Sequence, residues 1–182
     1  MYIISEYVLR ENPQKGFFYR SLEEFICPVC GHRKRTVIGS RKRSFLDRAG
    51  SRKVLRIRRL KCNSCHKIHH ELPDCLIPYK RHCSFTIEAA QKDPETLGAD
   101  VEQSTLYKWK KWAQRLGTRF LGVLESLRLQ AGIRDPGTLL AGSVFQRVRD
   151  LTGTDRHWLT VAVRFLVNAN YYMQTRTSFL TD

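Results

Sequence analysis

The sequence predicts an α+β fold in which a small antiparallel sheet, built as a zinc ribbon, is followed by an all-α region with a helix-turn-helix-like core. Three observations predict it. Two Cys-x-x-Cys pairs, Cys27/Cys30 and Cys62/Cys65, bracket a segment with β patterning. Beyond residue 83 the apolar residues recur at helical spacing instead. The chain has 182 residues, of which 42% are hydrophobic, enough for one real core or two small ones. This pattern divides it into 1–83 (ribbon, flanking strand and connector), 84–131 (helix-turn-helix-like helices) and 132–182 (C-terminal helices).

Residues 2–8 are β-branched and aromatic enough for a short strand, and residues 11–16 form a turn cluster. Phe17, Phe18, Leu22, Phe25 and Ile26 then supply apolar mass to pack on the ribbon. Between the cysteine pairs, residues 36–39 and 54–60 read as strands. In the second, Leu55, Ile57 and Arg59 fall on one face while Val54, Arg56, Arg58 and Leu60 fall on the other. Residues 44–51, with Gly50, make the hairpin tip. Pro73 and Pro78 exclude a continuous helix over 66–82, so an extended connector is expected there.

Ser84 is placed to cap a helix over 85–91, and breaks follow at 92–95 and 98–100. Ser104 is placed to cap the next helix, with Leu106, Trp109, Ala113, Leu116 and Phe120 on one side and Lys108, Lys111, Arg115 and Arg119 on the other. Asp135-Pro136 opens a helix carrying Leu139, Leu140, Val144, Phe145 and Val148. Thr154 or Asp155 opens a last one through Trp158, Leu159, Ala162, Phe165 and Leu166.

Four thiolates at Cys27, Cys30, Cys62 and Cys65 suit one tetrahedral, structural zinc ion, whose closed shell leaves no position for water. A second metal on His66, His69, His70, Cys75 and Cys83 is conceivable, but the expected reading is a polar connector facing water, with Cys75 and Cys83 as small buried residues.

Charge is the louder signal. Thirty-two Lys and Arg oppose 17 Asp and Glu, for a net +15. Between Arg33 and Lys61 Asp47 is the lone acid. Such a density repels itself unless a polyanion offsets it, so nucleic acid is the expected partner, double-stranded DNA first. Arg33, Lys34, Arg35, Arg41, Lys42, Arg43, Arg52, Lys53, Arg56 and Arg58 are the candidate phosphate contacts of the ribbon. Thr105, Tyr107, Lys108, Lys111 and Arg115, early in the Ser104 helix, are the candidates to face a major groove.

The sequence offers little for catalysis: no Gly-rich phosphate loop, no nucleophile elbow, and scattered acids of which Glu71 and Asp74 are the closest useful pair. A metal-dependent nuclease, a transcriptional regulator and an RNA-binding protein remain alternatives. The start of the chain lacks a basic lead and an apolar core, and no apolar run reaches membrane-spanning length, so a cytoplasmic, nucleoid-associated protein is expected.

The order Cys-Pro-x-Cys-Gly (27–31), a basic hairpin, Arg-Ile-Arg-Arg-Leu-Lys-Cys (56–62), Glu-Leu-Pro-Asp (71–74) and Ile-Pro-Tyr-Lys-Arg (77–81) resembles the zinc-ribbon region of bacterial insertion-sequence transposases. It is also similar to short zinc-ribbon, helix-turn-helix proteins of Gram-positive bacteria. The resemblance covers about residues 25 to 115. It implies DNA binding for a mobile element, with the four cysteines as zinc ligands. Transposases of this kind continue into a catalytic domain with spaced carboxylates, for which 182 residues leave no room. A recognition or accessory subunit acting with a separate transposase is therefore the expectation.

Overall fold

The computed structural model describes residues 1–14, 16–93, 95, 97, 101–132, 142–153 and 157–172. Six strands come first: β1 (Tyr2–Ile4), β2 (Tyr7–Asn12), β3 (Gly16–Ser21), β4 (Arg35–Leu46), β5 (Arg52–Cys62) and β6 (Ile68–Pro73). Four helices come after them: α1 (Ser84–Lys92), α2 (Gln103–Gln130), α3 (Val144–Thr152) and α4 (Trp158–Asn168). The strands form one sheet in the order β1-β6-β5-β3-β2, with β4 paired to β5 as a long edge strand.

The predicted strand over 2–8 breaks at Ser5-Glu6, where the Glu23 carboxylate accepts both backbone amides at 2.5 Å. Beyond the break the chain forms a hairpin, with β2 and β3 antiparallel from Tyr7↔Ser21 to Asn12↔Gly16. Phe17 and Phe18 of the Phe-rich lead thus lie in a strand, and Leu22, Phe25 and Ile26 follow it. The expected connector is also a strand at its start: β6 pairs parallel with β1 and antiparallel with β5. Its proline is no obstacle, because Pro73 is the last residue of the strand.

Cross-strand partners share a face. Leu55 and Ile57 of β5, Leu72 of β6 and Ile3 of β1 are buried together with Ile87, Trp109, Ala113, Leu116, Phe120, Trp158 and Leu159 of the helices. Helices α1, α2 and α4 therefore cover one face, here called the inner face, and α3 joins the same core through Val148. This overturns the expected all-α helix-turn-helix-like domain after a small ribbon. Sheet and helices are built on one core, because the alternation in β5 and β6 supplies an apolar row that only the helices cover.

The helix expected to read DNA differs most. α2 runs for 28 residues and buries Trp109, Ala113, Leu116, Gly117, Phe120 and Leu121. Its start is positioned by packing, with the His82 ring 4.7 Å from Trp109 and Lys80 Nζ 4.5 Å from the Trp112 ring centroid. Ser104 lies inside the helix and Glu102 is its N-cap residue; likewise Cys83, not Ser84, precedes α1. The expected Asp135 helix start and the Thr154 or Asp155 start lie outside the described residues. α3 begins after Ser143, whose hydroxyl accepts the Gln146 amide.

A second, smaller cluster occupies the outer face at one end of the sheet: Tyr2, Ile4, Phe25, Cys27, Leu60 and Cys62. Among the described residues no helix is long and apolar enough to cross a membrane.

Candidate metal centre and the basic sheet face

The two Cys-x-x-Cys turns are closed by the same pair of backbone bonds. Gly31 N–H donates to Cys27 O (2.9 Å) and Cys27 N–H to His32 O (3.0 Å). In the second, His66 N–H donates to Cys62 O (3.1 Å) and Cys62 N–H to Lys67 O (3.0 Å). The residue after each second cysteine has left-handed backbone, φ 71° at Gly31 and 59° at His66. Glycine takes that conformation freely and histidine at some strain. The β4–β5 register opposes Arg35 to Cys62, so the open end of the hairpin brings the first turn onto the second.

The four Sγ atoms lie within 4.8 Å of one another, with Cys27–Cys65 at 3.6 Å and Cys30–Cys62 at 3.7 Å. A tetrahedral ion with metal–sulfur bonds of about 2.3 Å has edges of about 3.8 Å, close to the two shortest sulfur–sulfur distances, so the four cysteines could hold a metal ion. Among the described residues no other group of three or more His, Cys, Asp or Glu converges in this way. Burial pushes the Cys27 thiol up to about 12. The His32 amide, donating to sulfur, draws the Cys30 thiol down to about 7. Filling the cage must therefore displace a reluctant proton from Cys27, which makes metal affinity pH-dependent.

Sequence reasoning missed one partner of the cage. His69 is buried, and its Nε2 lies 3.4 Å from Cys27 Sγ, placed to donate to the thiolate from outside the ligand set. In sequence it is one polar residue of a histidine-rich run; only the Leu60↔His69 pairing carries it to the cage. The other residues considered for a second metal disperse. Cys83 Sγ lies 3.1 Å from Thr86 Oγ1, and burial pushes the Cys75 thiol up to about 12. Burial first, and then Arg41 and other nearby cations, push the His70 imidazole down to about 4.

The ten ribbon cations separate into committed and uncommitted groups. Arg58 donates from Nε and Nη2 to the two oxygens of buried Glu71, at 2.5 and 2.7 Å. Arg43 Nη2 donates to the carbonyls of Ile77 (2.6 Å) and Lys80 (3.0 Å). Arg35 sits 5.4 Å from the Phe25 ring centroid, over the small cluster. Arg33 pairs with Glu24 at 2.6 Å and Lys53 with Asp47 at 3.7 Å, both largely in solvent. Among the described residues Lys34, Arg41, Lys42 and Arg52 have no side-chain partner, and Arg56 has only a 3.4 Å contact to Ser40 Oγ.

Lys42, Arg52 and Arg56 lie on the outer face, through the pairs Lys42↔Arg56 and Leu46↔Arg52; Arg41, opposite Ile57, lies on the inner one. Arg10 and Arg20, which sequence reasoning passed over, join the outer face through β2 and β3. In the helical layer, Tyr107, Lys108, Lys111 and Arg115 are exposed and Thr105 is half-buried. Lys111 Nζ lies 4.5 Å from the Tyr107 ring centroid. Lys42, Arg52 and Arg56 thus lie on the opposite side of the sheet from the helix cations, and Arg41 lies on the same side as the helix cations. Of the acids weighed for catalysis, Glu71 holds Arg58 and Asp74 accepts the Tyr7 hydroxyl at 2.9 Å.

No curated protein and no solved structure matches the chain. Residues 27–109, from the first metal-site cysteine through the hairpin to Trp109 of α2, match a family described as a domain of unknown function (DUF6431), and this stretch of the chain is similar to that family.

Proposed function

We propose that the chain is a zinc-stabilised DNA-binding protein that serves a transposable element as a recognition or accessory subunit, beside a separate catalytic protein. Cys27, Cys30, Cys62 and Cys65 hold the ion. Four soft thiolates in a closed tetrahedral cage favour zinc, which supplies rigidity there and no chemistry. The observation that carries the DNA reading is the outer sheet face, where Lys42, Arg52 and Arg56 stand together while the carboxylate in register beside them, Glu71, is committed to Arg58. A rigid sheet holding uncommitted cations neutralises phosphates at little entropic cost. The resemblance of residues 27–31, 56–62 and 71–81 to the zinc-ribbon region of insertion-sequence transposases supports the mobile-element setting, in the cytoplasm and on the nucleoid when bound.

The test is titration of labelled duplex DNA at several salt concentrations. Each phosphate contacted is expected to contribute a slope of about −0.9 in log K against log salt, so four contacts give a slope of about −3.6. Affinity that hardly changes with salt sinks the reading. The mobile-element part is checked by which protein and which DNA copurify with the intact chain.

A further inference from the structure

The outer face carries an aromatic ring that lies outside both buried clusters. Phe18 of β3 is half-buried, yet it packs against neither of the two buried clusters, whereas its neighbour Tyr19 packs against both. The registers place it in a transverse row. Arg10 of β2 is opposite Phe18, Phe18 is opposite Arg56 of β5, and Arg56 is opposite Lys42 of β4. Four strands thus present cation, aromatic, cation and cation in one line, spanning about 14 Å at the usual strand spacing. Glu71, on the same face and in register with Arg58, is occupied by that arginine.

A phenyl ring has no donor or acceptor, so it reads no base edge, and duplex bases are stacked away from a flat sheet. What a ring between cations does bind is the face of an unpaired base, with the flanking phosphates held by the cations. We infer that the Arg10–Phe18–Arg56–Lys42 row is a single-strand platform: Phe18 stacks one unpaired base, and Arg10, Arg56 and Lys42 hold the phosphates on either side of it. This rests on the reading of the outer face as a DNA-binding surface and names the form of DNA it takes, a single strand or the unpaired segment of a duplex. A stacking contact is sequence-tolerant, so the platform selects unpaired structure over base sequence.

The experiment is fluorescence anisotropy with the full zinc-loaded chain at one salt concentration. Three labelled probes are compared: an oligothymidine, an intact duplex of equal length, and the same duplex with a short single-stranded gap. The single strand and the gapped duplex are expected to bind at least about tenfold tighter than the intact duplex, within the range a stacked base supplies. Phe18→Leu is expected to abolish that advantage and leave the salt slope unchanged, while Phe18→Trp retains or increases it. Zinc content and thermal unfolding establish that each variant is folded; should Phe18→Leu not fold, Phe18→Trp decides. Equal binding of duplex and single strand, or a Phe18→Leu protein that keeps the preference, overturns the inference. So does polyglutamate competing as well as the oligonucleotide, because an anion alone then suffices. A steep salt slope with no preference removes only this inference; an absent salt slope removes the DNA reading beneath it.

Discussion

Arg56 and Arg58 stand two residues apart on the same face of β5, and the chain uses them in opposite ways. Arg58 faces Glu71 across the β5–β6 ladder and is locked into a two-pronged ion pair, with its side chain 15% exposed and that of Glu71 1%. Arg56 faces Phe18 and Lys42 and, among the described residues, has no carboxylate partner. The difference teaches that strand register, and not charge density, decides which cations are tied into the fold and which are not. Along this strand the fold consumes the metal end, through Cys62, Leu60 and Arg58, and releases the middle, from Arg56 onward. The committed half should govern stability and the uncommitted half binding.

The largest effect is expected at the metal end. Cys62→Ser removes a buried ligand from the cage and from the small outer cluster. Structural zinc sites contribute on the order of 10 kcal/mol to folding, so cooperative unfolding of this end should disappear, as it should with a chelator. Native mass spectrometry is expected to find one zinc per wild-type chain, and hydrogen exchange to show lost protection around β6 in the variant. A Cys62→Ser protein that melts like the wild type breaks the assignment of this half to the fold.

Arg58→Ala comes next. It leaves Glu71 buried and unpaired, at a cost of about 3–5 kcal/mol read from urea unfolding. Replacing both partners, Arg58→Met with Glu71→Leu, is expected to restore most of that loss, because two desolvated charges are removed together. Restoration without loss of DNA affinity sharpens the comparison. A large affinity loss in the double variant would move Arg58 to the uncommitted side.

The sequence carries the cage and the hairpin plainly, because Cys-x-x-Cys turns and the β5 alternation are local signals. It does not carry the register. Nothing in Phe17 to Ser21 says that Phe18 meets Arg56, and nothing in His66 to Pro73 says that the run returns as β6 to deliver His69 to Cys27 and Glu71 to Arg58. Two prolines near a polar run favoured a connector because they are judged by local geometry, whereas a strand-terminal Pro73 loses no ladder bond. The helix-turn-helix expectation failed for a related reason. Capping residues and a basic helix face are local, but the burial of Trp109 and Phe120 onto the sheet core is a long-range fact.

A smaller effect is expected at Glu23, which ties the β1–β2 corner to α4 through Arg164 at 2.7 Å. Burial alone would raise its carboxyl, but the amides of Glu6 and Ser5, the Ser5 hydroxyl and the Arg164 charge outweigh it and hold the pKa below the usual value. A depressed carboxylate stabilises the fold above its unfolded pKa, and that contribution is lost as pH falls through the depressed folded value. Glu23→Gln should thus cost about 1–2 kcal/mol at neutral pH, with the gap from wild type closing in acid. A gap independent of pH would mean that the carboxylate's charge is not what secures this corner.

The smallest effect on stability is expected where binding should suffer most. Lys42 is exposed and Arg56 half-buried, with no ion pair on either among the described residues, so the Lys42→Ala, Arg56→Ala double variant should unfold within about 0.5 kcal/mol of wild type. Its DNA affinity should fall for every probe, and the salt slope should shrink by about 1.8 on duplex and about 1.4 on single strand, since two phosphate contacts are gone. Arg58→Ala, by contrast, should lose stability and leave the slope of its folded fraction unchanged. Both strand partners of Arg56, Phe18 and Lys42, are outside the buried clusters, so no compensating repacking is available to disguise the result. A double variant that is destabilised like Arg58→Ala would erase the distinction between the two halves of β5, and one that keeps the full salt slope would move the phosphate contacts to the α2 face.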